Sequence, residues 1–303
     1  MTDSFFVGCG YVGRQVALRE VEDGGVVTAL VRSKESADLL LKCQIDSVVQ
    51  DLDTADETLA INVSGKILYW FVPPPNWASS DTRIARVLQS ITGPNLPVRF
   101  ILISTTGVYG DCGGNWINES QPLNPNTDRA IRRVDAEMVA TKWSVESGVP
   151  TVILRVPGIY GPSKLPIERL KRREPVLAIE DSPWSNRIHV TDLARACIAA
   201  SRVELDQSTI EPVICNVSDG NPSTMSEYFL AVAEAHDLPS PPIIRYEMAK
   251  HVLTSSILSY LNESKRIDNT RMREWLGVTP FFPNLEAGLD WERSKNSMKV
   301  IPK

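Results

Sequence analysis

Histidine and cysteine are scarce in this sequence, and both shortages narrow the chemistry that the chain can support. Its 303 residues include three histidines and five cysteines, and no two cysteines form a C-x-x-C pair. A structural zinc site or other metal site is therefore not expected, and neither is a disulfide framework. We expect all five cysteines to be small buried thiols in a reducing compartment.

Long apolar runs and an excess of positive charge are also absent. No stretch approaches the roughly 18 to 20 apolar residues of a membrane span, and the first residues lack a basic leader. Lys and Arg total 32 against 37 Asp and Glu, a formal net charge of −5, which offers no general attraction to nucleic acid or anionic lipid. These shortages predict a soluble cytoplasmic protein that binds neither nucleic acid nor membrane.

What the sequence has is a regular alternation of short apolar runs and longer amphipathic stretches. Runs typical of buried parallel strands occur at residues 5–7, 26–31, 46–50, 66–72, 98–104 and 151–156. Helical patterns lie between them, including residues 11–21 and 127–147. The alternation predicts an α/β fold with a doubly wound parallel sheet, the Rossmann fold. In the second of these helices Ile131, Val134, Met138 and Val145 share one stripe, which we expect to pack on the sheet.

The alternation of strand and helix patterns becomes irregular after Val156, where glycines and prolines interrupt the sequence up to Trp184. Beyond Val156 the pattern predicts helices at 168–173 and from Thr191, Thr224, Glu247 and Asp268, and a strand at 213–216. We therefore predict a dinucleotide-binding domain over residues 1–160, which the chain re-enters at about 187–219. The remaining residues, 161–186 and 220–303, are predicted to form a smaller C-terminal substrate lobe.

A glycine motif follows the first strand and opens the first helix. It reads Gly8-Cys9-Gly10-Tyr11-Val12-Gly13, a G-x-G-x-x-G in the strand–turn–helix setting that binds dinucleotides. Gly8 permits the tight turn, Gly10 allows a pyrophosphate to approach the backbone, and Gly13 allows close packing of helix on strand. The helix N-terminus then attracts the anion, with Tyr11 and Val12 contributing backbone N–H groups. The alternative is a tight turn that merely needs small residues.

The end of the second strand carries a cation where NAD-binding chains carry an acid. The sequence reads Leu30-Val31-Arg32-Ser33, with no Asp or Glu to accept from a ribose 2′-hydroxyl. Arg32 can form paired hydrogen bonds to a 2′-phosphate and Ser33 can donate to it, which favours NADP over NAD. A solvated loop cation is the alternative interpretation of Arg32.

Two further strand ends belong to the predicted cofactor crevice. Asp51 and Leu52 follow the third strand and can border the adenine, although Asp51 can equally serve the turn. Val72 and Pro73 end the fourth strand, at the carboxyl edge where doubly wound sheets bind their ligands. A proline run can also simply stop a strand.

Three more motifs point to one family. Residues 103–110 read ISTTGVYG, residues 154–162 read LRVPGIYGP, and residues 186–194 read NRIHVTDLA. Together with the glycine motif they resemble the extended short-chain dehydrogenase/reductase family, the NAD(P)-dependent nucleotide-sugar epimerases and dehydratases. The resemblance implies that Thr105 holds the substrate hydroxyl or carbonyl, and it extends the cofactor site to Ser104, Pro157 and Ile159.

The family's Tyr-x-x-x-Lys pair has no counterpart here. Aligning the family's following Ala-Glu with Ala136-Glu137 places Arg129 at the tyrosine position and Arg133 at the lysine position. A guanidinium cannot shuttle protons near neutral pH, because its pKa lies above about 12. Arg133 could still donate to the cofactor ribose or steady an anionic substrate. Arg129 could do the same, or both could belong to a solvated basic face with Arg132.

The sequence is therefore closest to the atypical branch of that family, which keeps the cofactor fingerprint without the active-site tyrosine. Tyr109 and Tyr160 are candidate substitute phenols, with a buried aromatic role as the alternative for each. His189 is expected to make a structural hydrogen bond that joins the lobes. We predict an NADP-binding oxidoreductase or epimerase-like enzyme for a small polar carbonyl or a sugar-derived substrate, including nucleotide sugars. The alternative is a non-catalytic NADP(H)-sensing regulatory protein, and a homodimer is possible in either case.

Overall fold

Seven strands of the computed structural model form one parallel sheet. The structure describes residues 2–54, 59, 61–206, 211–254, 258 and 261–298. The sheet strands are β1 Ser4–Val7, β2 Val27–Val31, β3 Asp46–Val49, β4 Ile67–Trp70, β5 Arg99–Thr105, β7 Thr151–Val156 and β12 Val213–Asn216. Their order across the sheet is β12-β7-β5-β4-β1-β2-β3, and each neighbouring pair is parallel. The predicted doubly wound Rossmann fold is confirmed.

Helices cover both faces of this sheet. They are α1 Tyr11–Glu22, α2 Lys34–Leu41, α3 Thr82–Ser90, α4 Asp128–Ser147, α5 Ile167–Lys171, α6 Val190–Arg202, α7 Met225–Ala235, α8 Tyr246–Val252, α9 Thr270–Glu274 and α10 Leu285–Met298. Thr127 caps α4 by accepting from the Ala130 N–H, and Thr224 forms a capping box with Glu227 at the start of α7. The predicted helix from Thr191 begins one residue earlier, because the His189 side chain caps it.

Short two-stranded pairings bring distant segments together beside the sheet. Their strands are β6 Trp116–Ile117, β8 Gly158–Tyr160, β9 Val176–Leu177, β10 Trp184–Ser185, β11 Arg187–His189, β13 Ser223–Thr224, β14 Ile243–Ile244 and β15 Arg266–Ile267. Strand β11 pairs with β8, and β15 pairs with β6. These two pairings carry residues from far along the sequence to the carboxyl edge of the main sheet.

The packing face of α4 differs from the prediction. Ile131, Met138 and Val145 are exposed, with Met138 66% accessible. The buried positions of α4 are instead small or paired residues: Ala130, Ala136, Glu137, Ala140 and Ser144. Small side chains let the helix approach the sheet closely, so the large apolar residues of the other face are left outside. The predicted stripe was therefore wrong for these three residues.

The C-terminal part of the chain has an apolar cluster of its own. Leu170, Val176, Phe229, Val232 and Leu289 pack together between α5, α7 and α10. The segment around α9 behaves differently, because its apolar side chains join the cluster of the main sheet: Met272, Leu276 and Val278. The smaller lobe predicted over residues 220–303 therefore contains a segment, around α9, that packs on the larger domain.

Three of the five cysteines are buried as expected, namely Cys9, Cys197 and Cys215, but the expectation was wrong for Cys43 and Cys112, which are only partly buried. All five thiols are free, and burial raises the pKa of Cys9 to about 12 and the pKa values of Cys197 and Cys215 further. Among the described helices, none combines the length and the apolar character that crossing a membrane requires.

Candidate functional site

Two of the three motif glycines are required by the protein's own packing. Gly8 has a φ of +84°, and a Cβ added there would lie 2.7 Å from Val72 Cγ2. A Cβ on Gly13 would lie 2.8 Å from the Gly8 carbonyl oxygen and 3.3 Å from the Phe71 ring. These contacts fix the tight turn and the close approach of α1 to β1 and β4, as predicted from the motif.

Gly10 has no such packing requirement. Its φ is −83°, and a Cβ added there would meet nothing within 4 Å. Gly10 is also the N-cap of α1, with no side-chain acceptor, and the first turn of α1 contains no acidic residue. The space above Gly10 is therefore open beside the positive end of α1. This cradle fits a dinucleotide pyrophosphate, which would approach the backbone where any side chain would obstruct it.

The side chains that flank this cradle come from the start of α1. The Tyr11 hydroxyl is buried without a hydrogen-bond partner among the described residues, and Lys164 Nζ lies 5.1 Å from the centre of the Tyr11 ring. Burial raises the pKa of Tyr11 to about 12. Val12 is partly buried against the main apolar cluster.

The predicted adenosine end lies at the exits of β2 and β3. Arg32 is exposed directly after β2, while Ser33 caps α2 by accepting from the Ser36 N–H at 3.3 Å. Asp51 accepts from the Asp53 N–H at 3.0 Å, which is the turn role left open by the sequence, and Leu52 is buried. Of these residues, Arg32 alone presents a charged group outward after β2.

An ion pair between Arg83 and Asp53 closes this end of the crevice. Arg83 donates from Nε and Nη2 to the two carboxylate oxygens of Asp53 at 2.7 and 2.6 Å, and from Nη1 to the Pro73 carbonyl at 2.9 Å. The hydrogen bond from Arg83 lowers the pKa of Asp53, and Arg32 acts in the same direction. Asp53 is thus neutralised by Arg83, so the cation at Arg32 keeps its attraction for an added phosphate.

A cavity of about 480 Å³ opens beyond the carboxyl ends of β5 and β7. It brings together five residues singled out from the sequence: Pro73, Thr105, Arg129, Arg133 and Pro157. In the sheet, Thr105 pairs in register with Val156, the residue before Pro157. The cavity therefore sits at the carboxyl edge of the sheet, where doubly wound folds bind their ligands.

The geometry of Thr105 and Arg133 suits substrate contact. Thr105 Oγ1 accepts from the Gly107 N–H at 3.2 Å, which leaves its own O–H to donate. Arg133 Nη1 donates to the Ile103 carbonyl at 3.1 Å, and burial lowers the pKa of its guanidinium. Arg132 also lines the cavity and donates to the Ala78 carbonyl at 3.3 Å, so this part of α4 is not the solvated basic face left open by the sequence.

Ser104 and Tyr109 belong to a buried network behind the cavity. Ser104 donates to Glu137 Oε1 at 2.5 Å, and Tyr109 donates to Asn216 Oδ1 at 2.8 Å. Arg155 joins the two by donating to Glu137 and to the Tyr109 oxygen. Tyr109 has no accessible surface, and neither residue lines the cavity. The Tyr109 phenol therefore lies outside the cavity, contrary to its predicted place in catalysis, and the Ser104 side chain is held by Glu137 rather than exposed to a cofactor.

Tyr160 and His189 are also committed to packing. Tyr160 is buried and donates to the Asn284 carbonyl at 3.2 Å, so it is not a substitute phenol in the cavity. His189 Nδ1 accepts from the Thr191 N–H at 3.2 Å, and its ring contacts Tyr160, Phe282 and Trp291. The imidazole ring thus packs β11 against the C-terminal part of the chain. Its hydrogen bond to Thr191 is a local cap of α6, so the expected hydrogen bond between the lobes stays a prediction. Ile159, assigned to the cofactor, packs instead against the main apolar cluster.

Three charged residues of the cavity had no role assigned from the sequence: Arg187, Glu263 and Lys265. Lys265 Nζ donates to Glu263 Oε2 at 2.9 Å and to the Gly110 carbonyl at 2.5 Å. The pairing of β15 with β6 brings this segment over the loop that follows the V-Y-G motif. Arg187 belongs to the NRIHVTDLA motif that the sequence analysis identified. Nothing in the neighbouring sequence, however, predicted that its side chain lines a cavity.

No cluster of three or more metal-ligating side chains occurs in the described parts of the chain. The polar side chains among the described lining residues are hydroxyls and an amide, guanidinium groups, the Trp184 indole and the Glu263–Lys265 pair.

Solved structures with the same fold cover nearly the whole chain. A functionally unknown conserved protein from Silicibacter pomeroyi superposes with a TM-score of 0.81 at 25% identity, covering 98% of this chain and 99% of that one. UDP-glucose 4-epimerase from Thermotoga maritima gives 0.75 at 17% identity, with 98% and 99% coverage. UDP-glucuronic acid 4-epimerase from Bacillus cereus, solved with NAD, gives 0.73 at 15% identity, with the same coverage.

Sequence comparison adds a short relative and a family. A dTDP-glucose 4,6-dehydratase from Streptomyces niveus is 32% identical over 68 residues, which span 22% of this chain and 20% of that protein. The model of the NAD dependent epimerase/dehydratase family matches residues 8–211, more than half of the chain. This match begins at the glycine turn and extends past the cavity residues of α4, β7 and β11, and by it the chain belongs to the NAD dependent epimerase/dehydratase family.

Proposed function

We propose that this protein is an NADP(H)-dependent oxidoreductase or epimerase-like enzyme for a small polar carbonyl or sugar-derived substrate. The observation that carries the proposal is the cavity at the ends of β5 and β7, where Thr105 and Arg133 meet beside the glycine-turn edge of the sheet. Family membership and the open cradle above Gly10 support the same assignment.

Each part of the site has a distinct task in this proposal. When bound, NADP(H) supplies a nicotinamide ring that exchanges hydride with the substrate. Gly10 and the N-terminus of α1 hold the pyrophosphate, and Arg133 donates to the ribose or to the substrate. Thr105 donates its O–H to the reacting oxygen and so orients it. Since Tyr109 and Tyr160 lie outside the cavity, the proton is exchanged with water or with the Glu263–Lys265 pair, in which the lysine ammonium holds a proton and the carboxylate can accept one.

The preference for NADP over NAD rests on Arg32. Its side chain is exposed after β2, no acid occupies the end of that strand, and Asp53 nearby is held by Arg83. A guanidinium that lacks a strong carboxylate competitor favours a 2′-phosphate over a 2′-hydroxyl.

Titration of NADP, NADPH, NAD and NADH against the purified protein tests this proposal, with NADPH fluorescence or calorimetry as the readout. We expect the phosphorylated pair to bind at least about tenfold tighter, which corresponds to about 1.4 kcal/mol. Arg32→Ala should abolish this preference while keeping the weaker affinity for NAD. Lys142→Ala, which removes an exposed cation on α4, is the matched control and should change neither affinity.

Two results would contradict the proposal. If no dinucleotide binds, the glycine turn has no ligand and the enzyme assignment fails. If NADP and NAD bind equally in the wild type and in Arg32→Ala, the NADP preference is wrong and the site does not distinguish the two cofactors.

A second candidate function is a regulatory protein that senses NADP(H) without turnover. The observation in its favour is that the described residues of the cavity include no tyrosine, histidine or cysteine. It predicts tight dinucleotide binding, no hydride transfer with any of a panel of carbonyl compounds, and a protein partner whose affinity differs between NADP and NADPH. Hydride transfer to any member of the panel would exclude it.

We also propose that the chain forms a homodimer through the exposed face of α4. Ile131, Met138 and Val145 recur there every seven residues, which places them in one line along the helix. Sedimentation of the wild type should give a dimer, and Met138→Lys should give a monomer that still binds NADPH. A monomeric wild type at the highest measurable concentration would contradict this assignment.

A further inference from the structure

Arg187 is a buried cation that forms no ion pair with the residues that the structure describes. Its side chain is 6% exposed, Nη2 donates to Ser185 Oγ at 3.0 Å, and Nη1 makes a longer contact of 3.3 Å with the Asn186 carbonyl. Nε has no hydrogen-bond partner in the described structure. The guanidinium lies over the Tyr228 ring, 3.8 Å from its centre. These are neutral contacts, and none is an ion pair.

The acid that acts on Arg187 is Asp219, and it is a weak counter-ion. Its backbone N–H donates to the Arg187 carbonyl at 2.8 Å, but the two side chains share no hydrogen bond in the described residues. Burial raises the pKa of Asp219 to about 7, so its carboxyl is partly protonated near neutral pH. A buried guanidinium without a firm counter-ion is costly, which makes an anionic ligand a favourable partner.

The pairing of β11 with β8 places the Arg187 guanidinium close to the strand end that carries Thr105. Arg187 pairs in register with Gly158, and a Cβ added to Gly158 would lie 3.5 Å from Arg187 Nη1. Gly158 is two residues beyond Val156, the register partner of Thr105. The guanidinium thus flanks the same strand end as the threonine that orients the reacting oxygen.

Most of the other charged residues that line the cavity are also cations. Arg129, Arg132 and Arg133 line it from α4, while Glu263 is the one carboxylate among the described lining residues and is paired with Lys265. The field at the reacting end is therefore positive from two sides, from α4 and from β11. Such a field stabilises a negative group held close to the reacting carbon.

Resting on the function proposed above, we propose that the substrate carries a carboxylate or phosphate next to its reacting carbon and that Arg187 binds this group. The site then selects an acidic sugar, a hydroxy acid or an oxo acid over its neutral analogue. Arg187 is a specificity-determining residue, because it recognises the anion while Thr105 orients the oxygen. Its planar guanidinium suits either anion through paired hydrogen bonds.

Calorimetry with three sugars of the same scaffold tests this proposal without turnover. The probes are D-glucuronate, D-glucose 6-phosphate and neutral D-glucose, each titrated into the full chain with and without NADP. We expect at least one anion to bind about tenfold tighter than glucose, which corresponds to about 1.4 kcal/mol. A preference for glucuronate identifies a carboxylate substrate, and a preference for the 6-phosphate identifies a phosphorylated one.

Three variants separate recognition from structure. Arg187→Met and Arg187→Gln should lose the preference for anions, and Arg187→Lys should retain part of it. Arg271→Met, which removes an exposed arginine bonded to the Ile214 carbonyl, is the control and should bind as the wild type does. We expect Arg187→Met to melt at the same temperature as the ligand-free wild type or higher, since it removes an uncompensated buried charge.

The proposal is overturned if the wild type binds anions no more tightly than glucose, or if Arg187→Met keeps the preference. Should Arg187→Met not fold, Arg187→Gln decides the same question, because it keeps N–H donors without the charge. Binding of NADPH is measured in parallel on every variant. If NADPH binding is intact, a wild type without anion selectivity or an Arg187→Met variant that keeps it refutes this inference alone. If the wild type does not bind NADPH, the proposed function is refuted.

Discussion

Arg155 and Glu137 form a buried ion pair with two hydrogen bonds, Nε to Oε1 at 3.1 Å and Nη2 to Oε2 at 2.7 Å. The pair fastens β7 to α4 directly behind the cavity, and both side chains are almost fully buried. Ser104 and Tyr109 complete its hydrogen bonding, so the wall that carries Arg133 is held by a closed polar network.

Breaking one partner of this pair should be strongly destabilising. Glu137→Gln leaves the Arg155 charge buried without its carboxylate, and we expect a loss of about 3–5 kcal/mol in the free energy of unfolding. Urea denaturation followed by circular dichroism measures it. Lys142→Ala is the control, because the Lys142–Glu146 pair is exposed at 3.8 Å and should contribute less than about 0.5 kcal/mol. If both variants lose the same free energy of unfolding, the buried Arg155–Glu137 pair stabilises the protein no more than the exposed pair does.

Substitution of the motif glycines should separate folding from binding. Gly10→Ala enters open space, so we expect stability to change by no more than about 1 kcal/mol while NADPH affinity falls at least tenfold. Gly8→Ala meets both a positive φ and Val72, and we expect it to lose about 1–3 kcal/mol of stability. Thermal unfolding and NADPH titration are the two measurements. Unchanged NADPH affinity in Gly10→Ala would show that the cradle holds no pyrophosphate.

Removal of the Thr105 hydroxyl should affect turnover far more than cofactor affinity. Thr105→Val loses the O–H donor to the substrate and the acceptor of the Gly107 N–H, a local cost of about 1 kcal/mol. We expect kcat with any accepted carbonyl substrate to fall about a hundredfold while the NADPH dissociation constant stays within twofold. Thr105→Ser keeps the hydroxyl and should restore most of kcat. Unchanged turnover in Thr105→Val would remove this residue from the mechanism.

Stability should decrease as the pH rises through the titration of Asp219. Burial raises the pKa of this carboxyl to about 7, above its value in the unfolded chain, so the folded state binds the proton more tightly. The protonated native form is favoured at low pH, and between about pH 4 and 7 this group removes about 1 kcal/mol per pH unit. Asp219→Asn should lose this dependence and be more stable than the wild type at pH 8. Parallel stability curves for both proteins between pH 5 and 8 would contradict the assignment.

The fold could be predicted because its signals are local. Strand β7 and strand β12 were predicted with the observed bounds, and the other sheet strands differ by at most two residues at either end. Apolar runs that are buried on both faces, separated by amphipathic helices, leave few arrangements other than a parallel sheet. The glycine turn was predictable for the same reason. The contacts that require glycine at positions 8 and 13 lie within one βαβ unit or come from the end of the adjacent strand β4.

The site was only partly predictable, because its residues come from segments far apart in the chain. Local motifs identified Thr105 and Arg133, but they could not show that Tyr109 is enclosed by Asn216 and Arg155, more than 45 residues away in either case. Periodicity alone also could not reveal that α4 turns its small residues toward the sheet. A helix with apolar residues on more than one side needs its neighbours to decide which side is buried.

The sequence by itself determined the order of strands and helices along the chain, the glycine turn and the strand ends at which we propose that ligands bind, since each depends on residues within a few positions of one another. The tertiary structure alone decided the charge of the cavity. It places Arg187 beside Gly158 through the β11–β8 pairing, and Glu263 and Lys265 over the V-Y-G loop through the β15–β6 pairing. Long-range pairings of two or three residues leave almost no signal in a sequence, yet they set the electrostatic field that a substrate meets.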